Sequence, residues 1–129
     1  MQKEILRIIY NLKPRDTCRN VFMQNHIMTF FSYYIYSLIL FASNNKEFFD
    51  LNAHIHQYNT RNKGNMHLTN ISLTKVKKGP YFSSIRMFNH LPNNIKSLDF
   101  NIKKHKKILK NFFQEHPFYS IDEYLNHKK

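Results

Sequence analysis

Cysteine is almost absent: Cys18 is the only one in 129 residues. No intrachain disulfide can form, and the chain does not have the cysteine pattern of a secreted, bridge-stapled scaffold. Glycine is nearly as scarce, with two; there are four prolines and no tryptophan. A fold built on many tight turns needs more glycine, so an all-β sandwich or barrel is excluded and helices are favoured. Two glycines also cannot build a Gly-rich phosphate loop. Acids are the third shortage. Eight Asp plus Glu stand against 20 Lys plus Arg, a formal charge of +12. Polymerases and nucleases gather carboxylates to hold two metal ions roughly 4 Å apart. Here the acids are scattered, and the adjacent pair Asp122-Glu123 falls in a helix-capping pattern.

What is abundant is apolar and aromatic. Hydrophobic residues make up 42% of the chain, with 12 Phe and 8 Tyr, enough for the core of a single domain. A balance this basic speaks about partners rather than fold, with nucleic acid first and an anionic membrane surface second. Codon composition is a plainer source of the same bias, since Asn, Lys, Ile, Phe and Tyr are all A/T-rich codons. The start, MQKEILRIIYNLKPRD, has a short apolar run broken by Arg7 and lacks a signal-peptide layout. The expected location is therefore intracellular, nuclear or cytoplasmic, and not secreted.

Periodicity predicts a mainly α, small irregular domain of five or six helices with a long basic loop. The helices fall near 3–12, 17–25, 27–43, 81–90, 100–115 and 120–127, and the loop spans 52–79. Ile5, Ile8, Ile9 and Leu12 share one face of the first helix, which Pro14 is expected to stop. Asp16 is placed to cap the second, where Cys18, Val21 and Phe22 share a side. Cys18 thus reads as a small core residue. Residues 27–42 carry no charge but fall short of the roughly 20 apolar residues a bilayer needs, and Tyr and Ser interrupt them. A central helix packed on several neighbours is expected, and no membrane. Gly79-Pro80 opens a helix marked by Tyr81, Ile85 and Phe88, ending before Pro92. The amphipathic segment 100–113 sets Ile102, Ile108, Leu109, Phe112 and Phe113 opposite five lysines that read as a solvated face. Ser120 and Glu123 form a capping box for the last helix.

Residues 51–98 contain no Asp or Glu but carry Arg61, Lys63, Lys75, Lys77, Lys78, Arg86 and Lys96. The part up to 79 reads as a long ordered loop, with a short strand near 71–76. Loops of such length in compact proteins are usually functional or disordered. Tyr58, Arg61 and Lys63, in the stretch YNTRNKGN, can stack on a base and contact phosphates; Lys75, Lys77 and Lys78 make a second positive cluster. The competing reading is structural, with Asn59, Thr60 and Asn62 tying down a loop whose charges face water. His54 and His56 have ligand-like spacing, but no Cys or acid completes a zinc pattern, so no metal and no cofactor is expected.

Four stretches carry a resemblance: RIIYNLKPRDTCRNVF at 7–22, HQYNTRNKGN at 56–65, KKGPYFSSIRMFNHLPNNIKSL at 77–98 and FYSIDEYL at 118–125. In this order they resemble the C-terminal end of reverse transcriptases from Jockey-type insect non-LTR retrotransposons, over about residues 2 to 126. The resemblance implies a segment downstream of the polymerase fingers, palm and thumb, with the family's Y-x-D-D and other metal-binding carboxylates upstream of Met1. None of the family's catalytic residues has a counterpart here. Phe31 departs from the T-x-P-S pattern, which is expected to lengthen the apolar helix by a turn. The implied function is a non-catalytic segment of an RNA-directed DNA polymerase that assists RNA or DNA binding beside the parent polymerase domain. The alternatives are a module that packs on the thumb without touching nucleic acid, and a membrane-active basic protein anchored by 27–42.

Overall fold

The computed structural model describes residues 1–58, 60–96 and 101–127. Among them the chain is all-α without a strand, in nine α-helical segments of which four have seven or more residues. They are α1 Gln2–Ile9, α2 Arg19–Gln24, α3 Phe30–Asn44, α4 Asn52–Ile55, α5 Thr74–Lys77, α6 Pro80–His90, α7 Asn93–Lys96, α8 Ile102–Glu115 and α9 Ile121–Asn126, with a 3-10 turn at Lys46–Phe48. The helical class agrees with the periodicity, but five or six helices is too few. The segment 52–79 read as one loop contains α4 and α5, and the strand expected near 71–76 is instead the helical turn Thr74–Lys77. Single-turn helices are too short to show a period in sequence.

The main core forms where α3 packs on α6 and α8. Ile35, Ile39 and Ala42 of α3 meet Ile85 and Phe88 of α6 and Leu109 and Phe113 of α8, closed by Phe118 and Tyr124. Tyr124 is buried, and its hydroxyl donates to the Met87 carbonyl at 2.9 Å. A smaller cluster of Leu6, Cys18, Val21 and Phe22 holds α1 and α2 together. Cys18 sits there as a core residue, its Sγ donating to the Lys3 carbonyl at 3.6 Å.

Several boundaries differ from the sequence reading, each for a local reason. The first helix stops at Ile9, short of Pro14. Asn11 turns left-handed (φ 50°), and the Leu12 amide donates back to the Arg7 carbonyl at 2.8 Å, a Schellman closure with half-buried Leu12 beyond it. His26 (φ 53°) ends α2 the same way, with the Ile27 amide on the Phe22 carbonyl at 2.9 Å. Asp16 does not cap α2. Its carboxylate accepts from the Lys13 amide at 2.9 Å, closing a turn, and α2 begins only after Cys18. Thr29 caps α3, accepting from the Ser32 amide at 3.1 Å, so the helix starts at Phe30. Thr29 also donates to the Phe118 carbonyl, and Ser32 accepts from the Phe118 amide at 3.0 Å. Two small hydroxyls thereby seat the chain entering α9 on the start of α3.

The charge-free segment is not buried all round. Ile35, Tyr36, Leu38 and Ile39 are inside, whereas Phe30, Tyr33, Tyr34 and Phe41 are exposed. Among the described residues no helix is long and apolar enough to cross a membrane. In α8 the core positions are His105, Leu109 and Phe113, while Ile102 is exposed. Asn101 caps this helix by accepting from the Lys104 amide at 3.1 Å; the expected start at residue 100 lies outside the described residues. The last helix bears out its cap. Ser120 accepts from the Glu123 amide at 3.0 Å, and Glu123 reaches back to the Tyr119 amide at 2.8 Å.

Glu123 also ties the C-terminal end to the N-terminal pair. Arg19 Nη1 donates to its carboxylate at 2.6 Å, and both Lys3 and Arg19 lie over the Tyr119 ring, at 3.7 and 4.5 Å from its centroid. Burial alone would raise the Glu123 carboxyl. The Arg19 hydrogen bond, the Tyr119 amide and the charges of Arg19 and Lys3 outweigh it and hold Glu123 below its ordinary value.

Candidate nucleic-acid interface

The segment YNTRNKGN is the tip of a hairpin-like loop, not a free connector; Asn59 lies outside the described residues. Leu51 and Met66 form an isolated antiparallel bridge. Around it the Asn52 amide donates to the Asn65 carbonyl at 3.0 Å, the Ala53 amide to the Lys63 carbonyl at 3.1 Å, and the His67 amide to the Asp50 carbonyl at 2.7 Å. Side-chain amides complete the frame, as Asn52 Nδ2 donates to the Asn62 carbonyl at 3.1 Å. The wealth of Asn in this stretch thus has a structural use, in backbone satisfaction where no sheet is available.

One residue of α6 anchors the whole loop. The Met66 amide donates to Asn89 Oδ1, and Asn89 Nδ2 donates to the Met66 carbonyl, both at 2.8 Å. Asn89 thereby imitates a strand partner for a single residue. Lys96 adds two bonds, from Nζ to Asn65 Oδ1 at 2.9 Å and to the Asn89 carbonyl at 2.6 Å. Buried Met66 plugs the loop into the main core.

Tyr58, Arg61 and Lys63 are all exposed on the tip, Tyr58 to 82%. Neither Arg61 nor Lys63 pairs with an acid among the described residues. Lys75 and Lys77 lie on α5 and Lys78 at its C-terminal end, all three exposed. The two expected clusters do not converge on one site. Arg61 and Lys63 line a cavity of about 530 Å³ with Lys46, His54, Phe49, Leu51, Met66 and Phe88. Lys77 lines a separate one of about 340 Å³ with Arg86, Leu68 and Phe82. No residue is common to both.

The sequence reading missed the cavity floor and its supports. Phe88 read only as a marker of its helix, and Phe49 and Asn89 were given no role. His54 and His56 sit at the end of α4, where the His56 ring meets the edge of His67 at 5.9 Å. Among the described residues no group of three or more His, Cys, Asp or Glu is placed to hold a metal ion.

Fold and site together define a small all-α domain carrying a basic hairpin with no acid between residues 51 and 98. No family model, curated protein or solved structure matches the chain.

Proposed function

We propose that this chain is a non-catalytic accessory domain that holds single-stranded RNA or DNA through its hairpin tip. It would be of the kind that follows the polymerase domain in the Jockey-type reverse transcriptases it resembles. The observation that carries this reading is the tip itself. An exposed tyrosine and two cations with no acid partner among the described residues are presented on a loop that is hydrogen-bonded to the core. A loop ordered in this way meets a phosphate backbone without first losing conformational freedom. The lysines of α5 and the outer face of α8 supply a diffuse positive field that would add affinity without selectivity.

A specific observation also supports packing on a parent polymerase domain. Ile5, Ile8 and Ile9 form an apolar stripe on α1 that is half or more exposed, and Phe30 and Tyr33 at the start of α3 are exposed as well. Exposed apolar patches of this kind mark docking faces. The two roles use different surfaces and are compatible.

The test is an anisotropy titration with a fluorescent single-stranded oligonucleotide at several salt concentrations. Each phosphate contact on a single strand contributes about −0.7 to the log–log salt slope. Replacing Arg61 and Lys63 with Ala should flatten it by about one to one and a half units. Tyr58→Ala should weaken binding by roughly 1–3 kcal/mol with little change in slope. An unchanged slope in the double variant would leave the tip with a purely structural role.

A further inference from the structure

We propose that the cavity beneath the hairpin tip receives one unstacked nucleotide of a bound strand; the proposal rests on the single-strand reading above. The cavity is about 530 Å³, within the range in which proteins hold small ligands. Its floor is apolar and braced. Phe49, Met66 and Phe88 are buried, and the Phe49 ring stacks on Tyr81 at 4.9 Å with 10° between planes. Tyr81 is held in turn by its hydroxyl donating to the Phe48 carbonyl at 3.2 Å. Such a floor is preformed and can take the flat face of a base.

The rim has the complementary character. Arg61 and Lys63 line the cavity and would meet a phosphate linked to that base, and His54, Asn65 and Asn93 line the same walls. Lys96 belongs to the scaffold, its Nζ donating to Asn65 and Asn89. The other cations on the lining are Arg61 and Lys63 of the tip and Lys46. An acyl chain would cover the floor but leave the Asn and His side chains facing hydrocarbon, a loss of hydrogen bonding that a nucleobase edge avoids. A phosphate alone would use the rim and leave the apolar floor wet. A base joined to a phosphate uses both.

Gly64 gives the means of testing this. It lines the cavity, and a Cβ added there meets nothing within 4 Å. Gly64→Leu places an apolar side chain on the cavity lining, where its Cβ has room, and changes no charge; its circular dichroism should match that of the parent. The full-length chain is titrated with a labelled ten-nucleotide thymidine strand and with an abasic strand of equal length and charge. The base-containing strand should bind at least about 25-fold more tightly, about fivefold from the cavity and about fivefold from stacking on Tyr58, each at the lower end of what stacking one base supplies. Tyr58→Ala should keep the cavity's share of that advantage, and Gly64→Leu added to it should abolish the remainder. Free uridine monophosphate should compete weakly, and inorganic phosphate less well still. If both strands bind equally to the unmodified chain, the cavity does not read a base and this proposal falls while phosphate-led binding stands. If neither strand binds, the reading beneath it falls as well. Displacement of the strand by decanoate at concentrations where the monophosphate has no effect would assign the cavity to an acyl chain and overturn the proposal.

Discussion

Replacing Asn89 with Ala removes the double hydrogen bond that fixes the hairpin to α6. Met66 is buried, and its amide and carbonyl each have one 2.8 Å bond to the Asn89 side chain. Leaving a buried polar group without its partner costs about 1–3 kcal/mol. Two are stranded here, but the loop lies near the surface and water can reach part of it. The lower end applies, about 2–3 kcal/mol in all. For a chain of this size each kcal/mol moves Tm by about 3–5 °C, so a fall of roughly 10 °C is expected. Asn89→Asp keeps the acceptor for the Met66 amide but sets a carboxylate oxygen against the Met66 carbonyl, so it should cost at least as much as Asn89→Ala. Thermal melts followed by circular dichroism give the magnitude. Amide hydrogen exchange gives the location, because Met66, Asn65 and Ala53 should lose protection before the amides of α3 or α8 do. A Tm within 1 °C of the parent, with the Met66 amide still protected, would refute the reasoning and show the loop to be held elsewhere.

The cap and knot at the start of α3 should be comparably sensitive. Thr29→Val removes both the Ser32 cap and the bond to the Phe118 carbonyl, for about 1–2 kcal/mol by chemical denaturation. Tyr124→Phe deletes only the hydroxyl bonded to the Met87 carbonyl and should cost about 1 kcal/mol by the same measurement; a larger loss would mean that the ring had also moved. Glu123 is held below its ordinary value of 4.5, so its contribution is present above that value and is lost as pH falls through the lowered one. Melts between pH 6 and 2.5 should show the parent chain losing more stability than Glu123→Gln, and parallel curves would count against the Arg19 pairing. His26→Gly relieves a left-handed backbone at a non-glycine residue and should stabilise the fold slightly, by less than about 1 kcal/mol, whereas His26→Val should destabilise it.

How much was written in the sequence differs between the elements. Helices α6, α8 and α9 were legible because their signals are local. Gly-Pro starts one, a lysine face marks the next, and a Ser-x-x-Glu box opens the third, and none of these needs a distant partner to act. The acid-free basic stretch was equally legible, since charge is a property of composition. What the sequence could not decide was which apolar residues would find cover. Residues 27–42 look alike on every side, and only the placement of α6 and α8 along one face left Phe30, Tyr33 and Phe41 outside. The ends of α1 and α2 depended on Asn11 and His26 turning left-handed, a choice tipped by what Leu12 and Ile27 could then pack against. The hairpin was beyond reach for the same reason. Its order comes from Asn89, 23 residues from Met66, and its cavity from Phe49 and Phe88 brought beside Arg61 and Lys63. Local chemistry is set by neighbours in the chain, but enclosure requires surfaces from distant segments to meet, and that happens only on folding.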